Sequence, residues 1–234
     1  MAPLTIPPLK VPTPKPFITP LKLPLSLDPS LVLCLLPFHD DKWHDYSGKG
    51  NHGTIHGATP TARGKLGFSW AFDGLDNYVD FGLPTTLQLQ NFTLEIWAYE
   101  QGDGLNKGIA GYRGGGNSYG LLFYSTSIAH SYHLMFGDGT DYEIWTLCLP
   151  LTVNKWNHII MTRDNKVASI YKNGEYVHQN TFTHNIDYTN CTYFIMGSGL
   201  ITNYRFQGLM PEARIYNRVL SGLECKALYE QGLA

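Results

Sequence analysis

The sequence predicts an all-β fold: a two-sheet antiparallel sandwich with one short C-terminal helix, preceded by an extended proline-rich arm. Three observations predict it. From Leu31 onward, short apolar runs alternate with Gly-, Asn- and Asp-rich turns, the pattern of many paired strands. Only the segment after Ser221 carries helix-start and helix-stop signals. Residues 1–27 carry prolines at 3, 7, 8, 12, 14, 16, 20 and 24, which exclude a helix and a central strand.

The chain therefore divides into an arm, residues 1–30, and a sandwich domain, residues 31–234. Between the arm's prolines stand Leu4, Ile6, Leu9, Val11, Phe17, Ile18, Leu21 and Leu23, too many apolar side chains for a solvated linker. The expectation is a polyproline II or extended edge segment that docks on a neighbouring subunit.

Leu31–Leu36 reads as a first buried strand, and Asp45–Gly53 as a turn-rich loop. Phe92–Tyr99 alternates with period two, placing Phe92, Leu94, Ile96 and Ala98 on one face and Thr93, Glu95, Trp97 and Tyr99 on the other. Further strands are expected at 107–112, 119–124, 132–137, 142–147, 157–163, 167–172, 175–179, 192–197 and 207–216. Asn173-Gly174 is a two-residue hairpin signal. Ser221 caps the helix with Glu224 as its capping-box partner, Gly232 ends it, and Leu223, Ala227 and Leu228 form its apolar side.

Composition narrows the function. Hydrophobic residues make up 43% and aromatics 13%, but charged residues only 15%, against an average of roughly 25%. The net charge of −2, with no Lys/Arg cluster, gives no means of neutralising phosphates, so no nucleic-acid partner is expected. No run approaches a membrane span, and prolines interrupt any signal-peptide core near the N-terminus. Cys34, Cys148, Cys191 and Cys225 lack the paired short spacing of a zinc site. They form two disulfides or stay as buried thiols; the second is expected, because free cysteine packs as a small core hydrophobe.

Four motifs carry a family resemblance. Asp45-Tyr-Ser-Gly-Lys-Gly-Asn-His-Gly53 and Phe72-Asp-Gly-Leu-Asp-Asn-Tyr-Val79 come first. Trp156-Asn-His158 and Arg214-Ile-Tyr-Asn-Arg-Val-Leu-Ser221 follow in the same order as in the family. Together they resemble the laminin G-like, concanavalin A-like lectin/glucanase jelly rolls over roughly residues 31–232. The resemblance implies a jelly-roll sandwich and a calcium ion held by Asp45, Asn51 and Asp73 or Gly74, oxygen donors that suit a hard cation. Met210-Pro211-Glu212 departs from the family's Ile-Asp-Glu at this point and removes one acidic donor.

The superfamily also includes glycoside hydrolases with carboxylates along one strand, and Glu95-Ile-Trp-Ala-Tyr-Glu100 is a near match. A retaining pair must stand roughly 5–5.5 Å apart, whereas strand positions 95 and 100 face opposite ways. No catalysis is expected. The nine histidines offer no compact metal set: His52 and His56, four apart on a strand, stand roughly 13 Å from each other. His158 is expected on the inner face of its strand. Tyr112, Tyr119, Tyr124, Tyr132, Tyr142 and Trp145 form the candidate glycan-stacking set.

The reading that joins these features is a non-enzymatic structural or adhesion protein of a virion or surface filament. Its arm would dock on copies of itself or on another capsid protein, and the jelly roll would face outward and bind carbohydrate. The alternative is a stand-alone, calcium-dependent, lectin-like domain.

Overall fold

The computed structural model describes residues 28–36, 42–65, 67–114, 119–125, 128–199 and 204–232. The docking residues Leu4, Ile6, Leu9, Val11, Phe17, Ile18, Leu21 and Leu23 lie outside the described residues, as does the side chain of Tyr119.

The chain runs through β1 (Leu31–Leu35), β2 (Lys42–Trp43), β3 (Gly53–His56), β4 (Thr59–Gly64), β5 (Gly67–Asp73) and β6 (Tyr78–Asp80). A 3-10 turn over Thr85–Leu87 leads to β7 (Phe92–Glu100), β8 (Gly108–Arg113), β9 (Tyr119–Ser125), β10 (Ser131–Asp138) and β11 (Tyr142–Pro150). Then come β12 (Trp156–Asp164), β13 (Val167–Lys172), β14 (Glu175–Thr181), β15 (Tyr193–Met196), β16 (Gln207–Met210), β17 (Ala213–Tyr216) and helix α1 (Gly222–Gln231).

Two antiparallel sheets face each other. The first runs β14-β13-β12-β7-β16-β5-β4, with β17 paired to β7 and β1 to β17; the second runs β11-β10-β9-β8-β15-β6-β3-β2. Phe92, Leu94, Ile96 and Ala98 of β7 enter the core between the sheets, with Phe123, Leu134 and Phe136 from β9 and β10. Burial of each large side chain contributes about 1.5–3 kcal/mol. The expected strand at 207–216 is two strands, because Pro211 has no N–H for the ladder; β7 pairs with β16 on one side of the break and β17 on the other.

Helix α1 covers the outer face of the first sheet. Ser221 accepts from the N–H of Glu224 while the Glu224 carboxylate accepts from the Ser221 N–H, so the capping box is complete. The buried positions are Cys225 and Leu228, packed with Ile160, Tyr216 and Leu220. Leu223 is 82% exposed, so the apolar side is rotated from the one the sequence suggested. Gly232 is right-handed, at φ −72; the reason for glycine there is close approach, since a Cβ would stand 2.6 Å from Cζ2 of Trp97. Asn173 and Gly174 both take positive φ, 53 and 79, as a type I′ hairpin requires. All four cysteines are free and buried. No described helix is long and apolar enough to cross a membrane.

Candidate functional site

At one end of the sandwich, the loop 183–189 between β14 and β15 meets the tip of the β10–β11 hairpin and the residue following the 3-10 turn. They bound an open cleft of about 600 Å³ lined by Gln88, Asp138, Thr183, His184, Asn185 and Asp187, with Ile186, Tyr188 and Thr189 beside them. Ligand sites fall in the range of roughly 300–1,000 Å³.

The loop is held from beneath by groups far away in sequence. Arg163 of β12, fully buried, donates from Nη2 to the His184 carbonyl at 2.7 Å and from Nη1 to the Gln90 carbonyl at 3.0 Å. The Gln90 amide clamps Ile186: Nε2 donates to its carbonyl at 2.6 Å and Oε1 accepts from its N–H at 3.0 Å. The Asp187 N–H donates to the Gly137 carbonyl at 2.9 Å, and the Gly120 N–H donates to the Asp187 carbonyl at 2.7 Å. The Tyr188 hydroxyl donates to the Leu89 carbonyl at 2.6 Å. A loop fixed in this way needs no ordering when a ligand arrives.

Its electrostatics are acidic. Oδ1 of Asp138 accepts from the N–H groups of Asp141 at 2.7 Å and Thr140 at 2.9 Å and from the Thr140 hydroxyl at 2.9 Å. Those bonds, the backbone N–H of Asp141 foremost, hold its carboxyl down at about 2. Oδ2 of Asp138 lies 3.3 Å from Nδ1 of His184, and Oε1 of Glu143 lies 3.4 Å from the same nitrogen. Both are ion-pair distances; Nδ1 is buried and makes no aligned hydrogen bond. Glu143 accepts from the Thr183 N–H at 2.8 Å. Asp187 accepts the Thr189 N–H on Oδ1 at 2.7 Å. Its Oδ2 lies against Gly139, where any Cβ would collide with it and where φ is +97.

The aromatic set from the sequence is not one surface. Tyr112 and Tyr132 are core residues, 2% and 0% exposed. Each hydroxyl is satisfied inside, Tyr112 by the Leu87 carbonyl and Tyr132 by Glu100 at 2.7 Å. A ring can bury its face if its hydroxyl finds a partner. Trp145 packs on the main core and tilts against His178, with centroids 4.7 Å apart. Tyr124 lies on the outer face of the second sheet with Leu122, Met135 and Tyr204. Tyr142, 40% exposed, has the most free surface among the described rings of the set.

Glu95 and Glu100 face opposite ways, as the alternation predicts. Glu100, wholly buried between the sheets, meets the Tyr132 hydroxyl and, at 2.8 Å, Nδ1 of His130. Glu95 lies on the outer face beneath α1, where Arg214 Nη1 donates to both its oxygens at 2.9 Å and Nη2 reaches Glu212 at 3.0 Å. Nε2 of His158 is 3.0 Å from Glu95, and its ring is 4.6 Å from that of Trp97. His158 is thus on the outer side, the reverse of the sequence expectation. It is buried because the helix covers that face.

The family model of the concanavalin A-like lectin/glucanases superfamily matches residues 72–226, well over half of the chain. The chain belongs to that superfamily. Among solved structures, domain 4 of AbnA, an extracellular GH43 arabinanase from Geobacillus stearothermophilus in complex with arabinotriose, is similar. Its TM-score is 0.72 at 17% identity, over 86% of this chain and 98% of that one. The binding domain of botulinum neurotoxin DC in complex with SialylT gives 0.64 at 13% identity, over 87% of this chain. The sialidase of Trypanosoma rangeli with the inhibitor DANA gives 0.61 at 16%, over 85%. This chain spans 51% of the toxin structure and 32% of the sialidase. These likenesses show the fold. Among curated proteins none matches the sequence.

In this superfamily member the oxygen-donor residues implied by the resemblance are held in local hydrogen bonds. Asp45 and Asn51 come together, but their polar atoms are engaged in binding the opening loop to β1. Asp45 accepts from the N–H groups of Cys34, Ser47 and Asn51 at 2.9, 2.8 and 2.9 Å. The Asn51 amide donates to the Val32 carbonyl at 2.8 Å and exchanges bonds with the Thr86 hydroxyl. Asp73, at the end of β5, turns its carboxylate to the Leu75 N–H at 2.8 Å, and Gly74 abuts Gln207. Among the described residues no group of three or more His, Cys, Asp or Glu could hold a metal.

The cleft residues were missed by sequence reasoning because they come from positions 88, 138 and 183–189, with no fixed spacing between them. The one local signal was Asp138-Gly-Thr-Asp141, a turn sequence that aims carboxylates outward.

Proposed function

We propose that this chain is a non-enzymatic carbohydrate-binding jelly roll that seats a glycan in the cleft beneath loop 183–189. The observation that carries this reading is the cleft itself: about 600 Å³, lined by amide, carboxylate and hydroxyl groups on a loop fixed by Arg163 and Gln90. Sugar hydroxyls are both donors and acceptors, and such a set matches them without ordering a loop. Two structures of similar fold were solved with ligands named arabinotriose and SialylT. Catalysis is left out because Glu95 and Glu100 are committed to partners on opposite faces.

A glycan array followed by calorimetry tests the reading. Asn185→Ala and Gln88→Ala should each weaken the array's best ligand about tenfold, the loss of one good polar contact at roughly 1.4 kcal/mol, with melting unchanged. An array without binders, or variants that bind like the parent, would refute it.

A second reading makes the chain a structural component of a virion or surface filament, with residues 1–30 docked on copies of itself or another capsid protein. It is carried by the apolar, proline-dense composition of that segment. Light scattering on the full chain and on residues 28–234 tests it: large defined oligomers only with the arm support it, and monomers in both cases end it.

A further inference from the structure

Charge selects among the carbohydrates this cleft can hold. Asp138 and Asp187 line it, and Glu143 stands behind Thr183. Both lining carboxylates are anchored through one oxygen: Oδ1 of Asp138 by Thr140 and Asp141, Oδ1 of Asp187 by Thr189. The cations nearby do not offset this charge for a ligand. Arg163 is fully buried, its guanidinium held by the carbonyls of Gln90 and His184 and its face set on Phe136, 4.8 Å from the ring centroid. His184 turns Nδ1 toward Asp138 and Glu143, 3.3 and 3.4 Å away, and not toward the opening. Among the described residues no Lys or Arg lines the cleft.

Building on the reading of this cleft as a glycan site, we propose that it takes sugars free of carboxylate and sulfate and prefers one bearing a protonated amine beside Asp138 and Asp187. An acidic sugar would lose hydration next to like charges, while an ammonium gains attraction from the two carboxylates and can donate to them. The contrast is electrostatic, so it weakens as salt rises.

The test is a titration of the full chain with glucosamine, N-acetylglucosamine and glucuronate, read by amide chemical shifts, at about pH 6.5, where a primary amine is protonated. The expected order is glucosamine several-fold tighter than N-acetylglucosamine, with glucuronate weakest, the shifts falling on Asn185 and Thr189. High salt should compress the order. The pair Asp138→Asn and Asp187→Asn should remove it; Asp187→Asn alone, which keeps the Asp138 turn, should halve the glucosamine advantage or more. Glucuronate binding as tightly as N-acetylglucosamine, or an order unchanged in these variants, overturns the charge inference and leaves the glycan reading standing. Shifts from none of the three sugars overturn both.

Discussion

Arg163 stands with Nη2 2.7 Å from the carbonyl oxygen of His184, so a fully buried cation on β12 fixes the loop that shapes the cleft. The fold thereby couples its core to its candidate site. Replacing Arg163 by Met keeps much of the volume and leaves the Gln90 and His184 carbonyls without their donor. Charge-assisted bonds are worth about 1.5–3 kcal/mol each, so denaturant unfolding should show a loss of about 3 kcal/mol or more. Amide exchange at 185–189 should quicken under native conditions. Unchanged protection there would mean that Gln90 alone holds the loop.

The ion cluster under α1 gives a second prediction. Arg214 is buried and held by Glu95 and Glu212. Glu95→Leu strips the larger share of that pairing. Breaking a buried pair costs about 3–5 kcal/mol, and a loss under about 1 kcal/mol would show that Glu212 and water suffice. A Glu95→Leu/Arg214→Met double replacement should be milder than the sum of its parts.

The same cluster sets an acid limit. Burial alone would raise the Glu95 carboxyl, but the Arg214 charge and then the His158 bond outweigh it and hold it at about 2, below the ordinary 4.5. A lowered carboxyl contributes stability that is complete above its unfolded value and is lost as pH falls through the folded one. The denaturation midpoint should therefore drop between about pH 4.5 and 2. Glu212 has the opposite sign, since burial raises it and Glu95 adds to that, with Arg214 opposing. Comparison with Glu95→Gln isolates the Glu95 share: its curve should be flatter in that window.

Gly232→Ala separates packing from backbone freedom. The residue already has right-handed φ, −72, so alanine meets no backbone strain. Its Cβ would stand 2.6 Å from Trp97, though, and the helix end must shift. The expected loss is about 1–3 kcal/mol, the usual range for an overpacked contact. A gain in melting temperature would show that the helix end moves freely.

Calcium should make no difference. Asp45 and Asn51 spend their polar atoms on β1 and the opening loop, and Asp73 turns to Leu75. Melting curves in millimolar calcium and in excess chelator should superpose. A rise with calcium would mean that the loop carbonyls supply the missing donors.

Much of the fold was legible because its signals are local. The alternation of Phe92–Tyr99 fixes which face is core, Asn173-Gly174 fixes a hairpin, and Ser221 with Glu224 fixes the helix start. The strands β2 to β6 were not, since two to seven residues broken by glycine and proline show little periodicity. His158 and the helix face were misassigned for one physical reason. The sheet buries both faces wherever α1 covers it, so burial no longer reports the side. The tyrosines misled because a hydroxyl says nothing of where its partner is: Tyr132 finds Glu100 inside the sandwich. The cleft was invisible because Arg163 and His184, its support and its rim, meet only through the folded chain.

The most direct test of the central claim is a crystal structure with the tightest ligand from the glycan array. The account predicts a sugar in the cleft, with its hydroxyls or amine on Asn185, Asp187 and Gln88. A sugar seated instead on the outer face of the second sheet, against Tyr124 and Tyr142, would contradict it.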